Sequence, residues 1–264
     1  WIGTPRGLFS YDLIIENWRR YGQFATEDIR AIATSQNQTI CVATWLNGLY
    51  SSHEKAEFEK APNITEPINA VTTAYNSQYA VGLDGLYHYI DKVWVKIIST
   101  TQLPVKGWLQ SVASFENNLW LGTGAGLLHY KSDTKQINVV NGYLGSADIR
   151  TLAVIYLQDT EQLCIGTNKG LYIGELETWQ PIQNLENRTI TALTWDAIHK
   201  TLWVGTDKGL FHLVYQQNNW NTNEFNIYNS GLGASRVTAL ATSTHNTKTK
   251  LWIGTPNGLS CYTY

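Results

Sequence analysis

The stretch LWLGTGAGLLHY, residues 119–130, decides the fold of this chain of 264 residues. It consists of two short apolar segments joined by a Thr-x-x-Gly sequence. The first segment has the aliphatic and aromatic composition of a strand that is buried on both faces. The closing glycine suits a tight turn, because glycine tolerates backbone conformations that other residues avoid. The stretch therefore predicts a β-hairpin.

The same hairpin recurs seven times along the chain. The copies are WIGTPRGLF, CVATWLNGLY, AVGLDGLYHY, LWLGTGAGLLHY, LCIGTNKGLYI, LWVGTDKGLFHL and LWIGTPNGLSCY. Aligned on Gly-Thr, the threonine or its equivalent stands at positions 4, 44, 83, 123, 167, 206 and 255. A period of about 40 residues indicates a supersecondary unit that buries its faces against neighbouring copies.

Two more strands accompany most of the hairpins. A short strand with a small residue precedes every hairpin but the first, and a more polar strand follows every hairpin but the last. Four antiparallel strands in each repeat predict an all-β fold, a seven-bladed β-propeller, whose first and last blades each lack one strand. Either missing residues complete these two blades or the ring closes with two three-stranded blades. We predict that residues 1–264 form one propeller domain, a segment of a larger protein, because the sequence begins inside a repeat and contains no Met.

The repeat resembles that of the two-component regulator propeller family, whose pattern is roughly L-W-I-G-T-x-x-G-L-x-x-Y. Copies 4, 6 and 7 match nearly residue for residue, and copy 1 does so from Trp1 onward. Copies 2, 3 and 5 carry Cys41, Ala80 and Cys164 at the tryptophan position, and copy 2 has Ala43 for glycine. The resemblance implies a sensor segment of a hybrid histidine kinase, often periplasmic and often responsive to glycans. The sequence contains no kinase, receiver or DNA-binding segment.

Charge and hydropathy exclude two classes of partner. The net charge is −2, and a partner such as nucleic acid or an anionic membrane surface requires a basic footprint. No stretch approaches the roughly 18 apolar residues of a membrane helix, and no signal peptide opens the sequence. We therefore expect neither nucleic-acid binding nor membrane insertion.

The three cysteines, Cys41, Cys164 and Cys261, have no zinc-ligand spacing and are interpreted as small buried hydrophobes. Unpaired thiols favour a reducing cytoplasm, whereas the family resemblance favours the periplasm, so the compartment stays open.

Residues with catalytic or metal-binding potential fall into the repeat itself. His88, His129 and His212 occupy one equivalent position in three copies, which argues for a repeat-surface residue rather than a metal site. GTGAG, residues 122–126, is followed by a strand and not by the helix that a phosphate-binding loop needs. No cofactor or metal is implied, and the sequence singles out no catalytic residues.

The predicted ligand site lies on the face that carries the turns between the second and third strands. Trp45 stands in a turn one residue longer than the others, and Trp108 ends a long connection just before the fourth copy's inner strand. Between them, the turn at Asp84 is interpreted as the shortest, which would leave a polar notch with aromatic walls. Such a notch suits a sugar ring or a peptide side chain.

Polar residues at the inner-strand entries extend this candidate site. They are Arg30, Asn69, Gln110, Arg150, Arg188 and Arg236. Several could converge on the channel mouth as donors to an anionic or hydroxyl-rich ligand, although neighbouring carboxylates also predict local ion pairs. We interpret the chain as a non-catalytic sensor or recognition domain for a small polar ligand or glycan. The alternatives are a platform that docks another protein domain and, third, a propeller hydrolase or lyase.

Overall fold

The computed structural model describes residues 1–35, 38–53, 57–74, 77–175, 178–245 and 248–264. They form two compact units, Trp1–Val139 and Val140–Tyr264. Each unit consists of successive antiparallel sheets whose strand order follows the chain, and we number these sheets blades 1–7.

The first unit contains blades 1–4, of which blade 1 has three strands and the others have four. Blade 1 comprises β1 (Ile2–Thr4), β2 (Gly7–Asp12) and β3 (Asn17–Tyr21); blade 2 comprises β4 (Ile29–Thr34), β5 (Ile40–Thr44), β6 (Leu49–His53) and β7 (Glu57–Lys60); blade 3 comprises β8 (Ile68–Ala74), β9 (Ser77–Gly82), β10 (Gly85–Ile90) and β11 (Val93–Ser99); blade 4 comprises β12 (Leu109–Phe115), β13 (Asn118–Thr123), β14 (Gly126–Lys131) and β15 (Gln136–Val139). Short 3-10 turns occupy Gly22–Phe24 and Thr100–Gln102.

The second unit contains blades 5–7, of which blade 7 has three strands. Blade 5 comprises β16 (Ile149–Leu157), β17 (Thr160–Thr167), β18 (Gly170–Gly174) and β19 (Gln180–Pro181); blade 6 comprises β20 (Ile190–Asp196), β21 (Thr201–Thr206), β22 (Gly209–Gln216) and β23 (Asn219–Phe225); blade 7 comprises β24 (Ala239–His245), β25 (Lys248–Thr255) and β26 (Gly258–Thr263). One 3-10 turn occupies Tyr143–Gly145.

The predicted fold class, an all-β seven-bladed propeller, is confirmed. Blade 1 lacks a counterpart of the first strand of the complete blades, and blade 7 lacks a fourth strand within the described residues, as predicted. Those residues contain no helix long and apolar enough to cross a membrane. The extent of the propeller as a single domain stays a prediction.

The repeated threonine closes the turn between the second and third strands. In blade 6 the Thr206 hydroxyl donates to the Gly209 carbonyl over 2.9 Å and accepts the backbone N–H of Lys208 over 3.1 Å. Thr123 of blade 4 makes the same pair of bonds with Gly126 and Ala125. Because one hydroxyl satisfies both ends of the turn, the recurrence of threonine at this position has a structural explanation.

The glycine before this threonine lets adjacent blades approach each other. A Cβ at Gly205 would lie 2.6 Å from Val237 Cγ1 and 3.3 Å from Ala192 Cβ. Val237 lies two residues before the first strand of blade 7, and Ala192 lies on the first strand of blade 6. Gly205 therefore leaves room for Val237, at the entry to blade 7, to pack closely against blade 6.

The three equivalent histidines stack on aromatic residues of the second strand. The ring centroids are 4.4 Å apart for Trp120–His129, 4.2 Å for Trp203–His212 and 4.3 Å for Tyr79–His88. Burial lowers the pKa of all three imidazoles below the ordinary value. These histidines are therefore packing residues of the blades, and burial favours the neutral form of each imidazole.

The alignment of the third copy is wrong by one residue. His88 pairs with Tyr79, as His129 pairs with Trp120, so Tyr79 and not Ala80 occupies the tryptophan position. The threonine position falls on Gly82 and not on Leu83. The sequence alignment failed because this copy has glycine where the others have the threonine.

Two of the three cysteines are buried, as predicted, and the third is not. Cys41 and Cys164 are fully buried, and burial raises the pKa of both thiols far above the usual value. Cys261 is exposed, which corrects the expectation that it is a buried hydrophobe. It lies on β26, beside which no fourth strand is described. Since two thiols are simply core residues, the argument from cysteines for a cytoplasmic location has no support.

Candidate ligand-binding site

Four predicted site residues share one position in the fold, a bulge at the start of the first strand. The ladder register shifts between Ile29 and Ala31, and it does so at the corresponding place in blades 3–6. The residues that lie in these bulges are Arg30, Asn69, Gln110, Arg150 and Thr191. Because a bulge leaves one residue outside the regular pairing and redirects its side chain, the fold presents a variable side chain at this point of each blade.

Two of these bulge residues bind the backbone of the next blade at the start of its first strand or just before it. The Asn69 amide donates to the Leu109 carbonyl over 2.7 Å, and the Thr191 hydroxyl donates to the Val237 carbonyl over 2.5 Å. Asn69 therefore has a structural function between blades 3 and 4. Sequence reasoning missed Thr191, because a threonine in a Thr-rich strand gives no signal of its own.

The bulge residue of blade 4, Gln110, lies beside the turn of its own blade. A Cβ at Gly124 would be 3.0 Å from Gln110 Nε2, so the glycine leaves room for the amide. The Gly124–Ala125 turn therefore exposes backbone where other blades present side chains.

Arg30 and Trp45 form a compact pair in blade 2. The Arg30 guanidinium carbon lies 4.5 Å from the centroid of the Trp45 ring, and Arg30 Nη2 lies 2.8 Å from Asp28 Oδ2. The Trp45 backbone N–H also donates to the Asp28 carbonyl over 2.9 Å. The carboxylate and the indole thus orient the guanidinium, whose side chain is 43% exposed. This arrangement confirms the predicted local ion pairing, and it places Trp45 beside the strand entry.

The longer turn of blade 2 is confirmed and is held by polar contacts. The Thr44 hydroxyl donates to the Gly48 carbonyl over 3.0 Å across the three intervening residues. Within the turn, Asn47 Nδ2 donates to Glu27 Oε1 over 2.7 Å. Glu27 is buried, so this hydrogen bond fixes the turn that carries Trp45.

The turn at Asp84 is not shorter than the others, which corrects the basis of the predicted notch. Leu86 pairs with Val81, so Gly82 faces Gly85 and two residues lie between them, as in blade 4. Asp84 forms an ion pair with Lys96 on β11. Sequence reasoning missed Lys96, because the contact depends on the register of two strands.

Trp108 is the most exposed tryptophan of the predicted site. It follows Gly107, whose φ is +141°, and its side chain is 54% exposed. The next residue, Leu109, is fully buried and receives the hydrogen bond from Asn69. The exposed indole thus stands beside a buried, hydrogen-bonded leucine, in the same unit as Trp45 and Asp84.

The three remaining predicted residues lie in the second unit. Arg150 pairs with Asp148 over 2.6 Å, again beside a bulge. Arg188 pairs with Glu224 of the fourth strand over 3.2 Å and lies 5.5 Å from the centroid of the Phe211 ring. Arg236 is exposed. Arg188 and Arg236 precede their first strands and do not occupy the bulge, so the six strand entries are not structurally equivalent. Their convergence on one ligand stays a prediction.

The turn tips contain cationic residues that sequence reasoning did not select. The second residue of the two-residue turn is Arg6, Lys169 and Lys208 in blades 1, 5 and 6. The sequence contained a signal for them, since the residue at this position varies among the copies while the flanking threonine and glycine seldom change.

One buried carboxylate outside the turn face has the partners of a reactive group. Tyr264 OH donates to Asp196 Oδ2 over 2.6 Å, and His199 Nδ1 lies 2.7 Å from the same oxygen. Burial would raise the pKa of Asp196, but these hydrogen bonds and the backbone N–H groups of His199 and Ile198 lower it overall. Both carboxylate oxygens of Asp196 are hydrogen-bonded within the protein, and these bonds stabilise the hairpin between β20 and β21. Across the described ranges, no group of three His, Cys, Asp or Glu side chains is placed to hold a metal ion.

Comparison with known proteins identifies similar folds only. No family model matches the chain, and no curated protein matches it in sequence. Among solved structures, it is similar to the extracellular domain of a protein described as a hybrid two-component system, BT4673 from B. thetaiotaomicron. The identity is 20%, the TM-score is 0.78, and the match covers 99% of this chain and 36% of that one.

Two further structures show how widely the fold is used. PorZ, a surface component of the type-IX secretion system of Porphyromonas gingivalis, has a TM-score of 0.66 at 17% identity, over 96% of this chain and 43% of that one. An ancestral GH74 enzyme has a TM-score of 0.69 at 15% identity, over 89% of this chain and 36% of that one. This chain thus spans less than half of each of these neighbours.

Proposed function

We propose that the chain is a non-catalytic recognition domain that binds a small polar, carbohydrate-like ligand on the turn face of its first unit, as the sensor segment of a signalling protein. The observation that carries this proposal is the Arg30–Trp45 pair. Its guanidinium is oriented by Asp28 and remains 43% exposed. A planar donor next to an indole offers a ligand hydroxyl or carboxylate both hydrogen bonds and an apolar surface.

The neighbouring residues support the same ligand class. Trp108 supplies a second exposed indole, and the Asp84–Lys96 pair supplies an acceptor and a donor on the intervening blade. The similarity to an extracellular domain described as part of a hybrid two-component system supports a sensor role outside the cytoplasm.

Thermal unfolding with and without candidate ligands tests this proposal. A ligand that binds only the folded state raises the free energy of unfolding by about 2.7 kcal/mol at a hundred times its dissociation constant. We expect such a shift with one class among neutral oligosaccharides, acidic oligosaccharides and short peptides. Trp45→Ala and Trp108→Ala should abolish it. Trp18→Ala is the matched control, because Trp18 is similarly exposed, at 49%, on the last strand of blade 1.

The other outcomes assign the alternatives. A shift that persists in both tryptophan variants would contradict the proposed site. Cleavage of an oligosaccharide during the incubation would establish a hydrolase or lyase instead. A well-folded protein that responds to none of the three classes would contradict small-ligand recognition and favour a platform that docks another protein domain.

A further inference from the structure

The outer half of blade 5 is shorter than that of blade 6, although both blades have four strands. The last two strands of blade 5, β18 and β19, have five and two residues, whereas β22 and β23 of blade 6 have eight and seven. The first two strands of blade 5, β16 and β17, are long, with nine and eight residues. At the end of the blade away from the turn face, β16 and β17 therefore extend past the point where β18 and β19 stop.

A local departure from the repeat ends the outer hairpin of blade 5 early. Gly174 stands where blade 4 has Tyr130, since the two residues occupy the same place in the strand pairing. A Cβ at Gly174 would lie 2.6 Å from the Thr178 carbonyl oxygen, so the glycine admits the backbone there. The Glu175 carbonyl accepts both the backbone N–H and the hydroxyl of Thr178, over 2.8 and 2.9 Å. These bonds close the connection from β18 to β19 and leave a recess beside it.

A pocket of about 460 Å³ lies in this recess, between blades 5 and 6. Blade 5 contributes Leu157, Gln162 and Ile173 to its lining, and blade 6 contributes Tyr215 and Trp220. The volume is within the range of small-molecule sites. The residues that line the pocket all belong to the second unit, so the site is built within one compact part of the chain.

The aromatic pair of blade 6 gives the pocket an apolar surface. Tyr215 and Trp220 are partners across the ladder of β22 and β23, and their ring centroids are 5.2 Å apart at an interplanar angle of 61°. Both side chains pack against the buried cluster that includes Leu157 and Ile173, and both remain partly exposed. Strand pairing and core contacts thus hold the two rings in place, and a ligand can contact the part that stays exposed.

Side-chain amides make up much of the remaining lining. Within the described part of the chain, no hydrogen bond uses the side chains of Gln162, Gln180, Gln183 and Asn218. An amide carries both a donor and an acceptor, and so does a hydroxyl group. Four amides beside an aromatic surface are therefore suited to a ligand that carries several hydroxyl groups.

The charge of the lining narrows the ligand class. Glu175 is the one charged residue among the described residues that line the pocket, and none of them is lysine, arginine or histidine. A phosphate or carboxylate ligand would meet a like charge and none of the cations that bind such groups. A wholly apolar ligand would leave the amides without hydrogen-bond partners. An uncharged sugar ring combines an apolar C–H face with a rim of hydroxyl groups, which matches the lining.

We propose that this pocket binds one sugar unit of a neutral glycan. The C–H face of the ring lies against Tyr215 and Trp220, and the amides of Gln162, Gln180 and Gln183 form hydrogen bonds with its hydroxyl groups. The pocket belongs to the second unit and lies at the strand ends away from the turn face. It is therefore separate from the site on the first unit, and it does not depend on the function proposed above.

Isothermal titration calorimetry with neutral oligosaccharides tests this site. The probes are cellopentaose, xylopentaose, mannopentaose and maltopentaose, and trigalacturonic acid is the anionic comparison. The titrations use the 264-residue chain with Trp45→Ala and Trp108→Ala, so that the site proposed on the first unit does not contribute. We expect saturable binding of at least one neutral probe, and tighter binding of that probe than of the anionic one.

Two further substitutions, added one at a time, locate the site. Trp220→Ala removes part of the aromatic surface and should weaken binding at least tenfold. Gln180→Ala removes an exposed amide and should weaken binding about fivefold. Asn138→Ala is the matched control and should change nothing, because Asn138 is an exposed amide at the equivalent position of blade 4. A retained melting temperature establishes that each variant is folded.

Three results would overturn the proposal. One is the absence of binding by all four neutral probes. Another is binding that Trp220→Ala and Gln180→Ala leave unchanged, or that Asn138→Ala weakens as much as Gln180→Ala does. The third is tighter binding of trigalacturonic acid, since the ligand would then be an anion. Because Trp45 and Trp108 are already replaced, the outcome is independent of the site on the first unit.

Discussion

Blades 6 and 7 have nearly the same repeat, LWVGTDKGLF and LWIGTPNGLS, and yet two positions that are buried in blade 6 are more exposed in blade 7. Leu210 of blade 6 is 3% exposed, and its equivalent in blade 7, Leu259, is 40% exposed. Trp203 is 2% exposed, while Trp252 lies in the intermediate class. A repeat thus determines the local hairpin, and the neighbouring strand and the following blade determine burial.

The largest effect that separates the two blades should come from these leucines. Leu210→Ala removes a side chain that packs with Trp203, Val237 and Ile253, and should lower the free energy of unfolding by about 2–5 kcal/mol. Leu259→Ala should cost less than about 1 kcal/mol, because that side chain is already partly solvated. Chemical denaturation of both variants measures the difference, and equal losses would show that blade 7 is covered in solution.

The next effect concerns the contact by which the end of blade 7 stabilises blade 6. Tyr264→Phe removes the donor to Asp196 Oδ2 and the acceptor of the Trp203 Nε1–H, whose bond to Tyr264 OH is 3.1 Å. Because Asp196 is 2% exposed, the loss should be about 1–3 kcal/mol at neutral pH. Tyr262→Phe is the control. Tyr262 is 50% exposed, so we expect no change in the free energy of unfolding.

The pH dependence of this variant has a defined sign. The pKa of Asp196 is lowered in the folded state, so the carboxylate adds stability above the unfolded pKa of about 3.9 and loses it as the pH falls through the folded value. Tyr264→Phe should raise the folded pKa and so flatten the decline of stability below about pH 4. An unchanged acid limb would show that the tyrosine does not stabilise the carboxylate.

A smaller effect concerns His212 and its equivalent in blade 7, Cys261. Burial lowers the pKa of His212, and Asp196 partly offsets this. The unfolded chain therefore takes up a proton near pH 6.5 that the folded chain resists, and stability falls as the pH drops below that value. His212→Phe should reduce this loss between pH 7 and pH 5. Cys261→His should add none, because position 261 is exposed. A new acid-sensitive step in Cys261→His would contradict the comparison.

The sequence predicted the blades well because each repeated residue has a local physical task. The Thr206 hydroxyl closes its turn, and Gly205 admits Val237 of the next blade. Such tasks recur in every copy and leave a periodic signal. The prediction failed at copy 3, where Gly82 replaces the threonine. It also failed at Cys261, which was expected to be buried although the same pattern places no fourth strand beside it.

The candidate site was less predictable, because its contacts join residues from different strands. Asp84 meets Lys96 only through the register of β10 with β11, and the bulge that redirects Arg30 is not visible in the periodicity. Trp45 was identifiable because its turn breaks the repeat. Irregular positions are therefore where a repeat sequence carries functional information.

The smallest effect should come from the surface arginines that precede the first strands of blades 6 and 7. Arg188 of blade 6 pairs with Glu224 over 3.2 Å, and Glu224 lies on β23, the fourth strand of that blade. Because the pair is partly exposed, Arg188→Gln should cost less than about 1 kcal/mol of stability, and the loss should shrink at high salt. Arg236→Gln, at the entry to blade 7, should cost still less and show no salt dependence. Denaturation at low and high ionic strength distinguishes them, and an equal, salt-sensitive loss in both would mean that a carboxylate also pairs with Arg236.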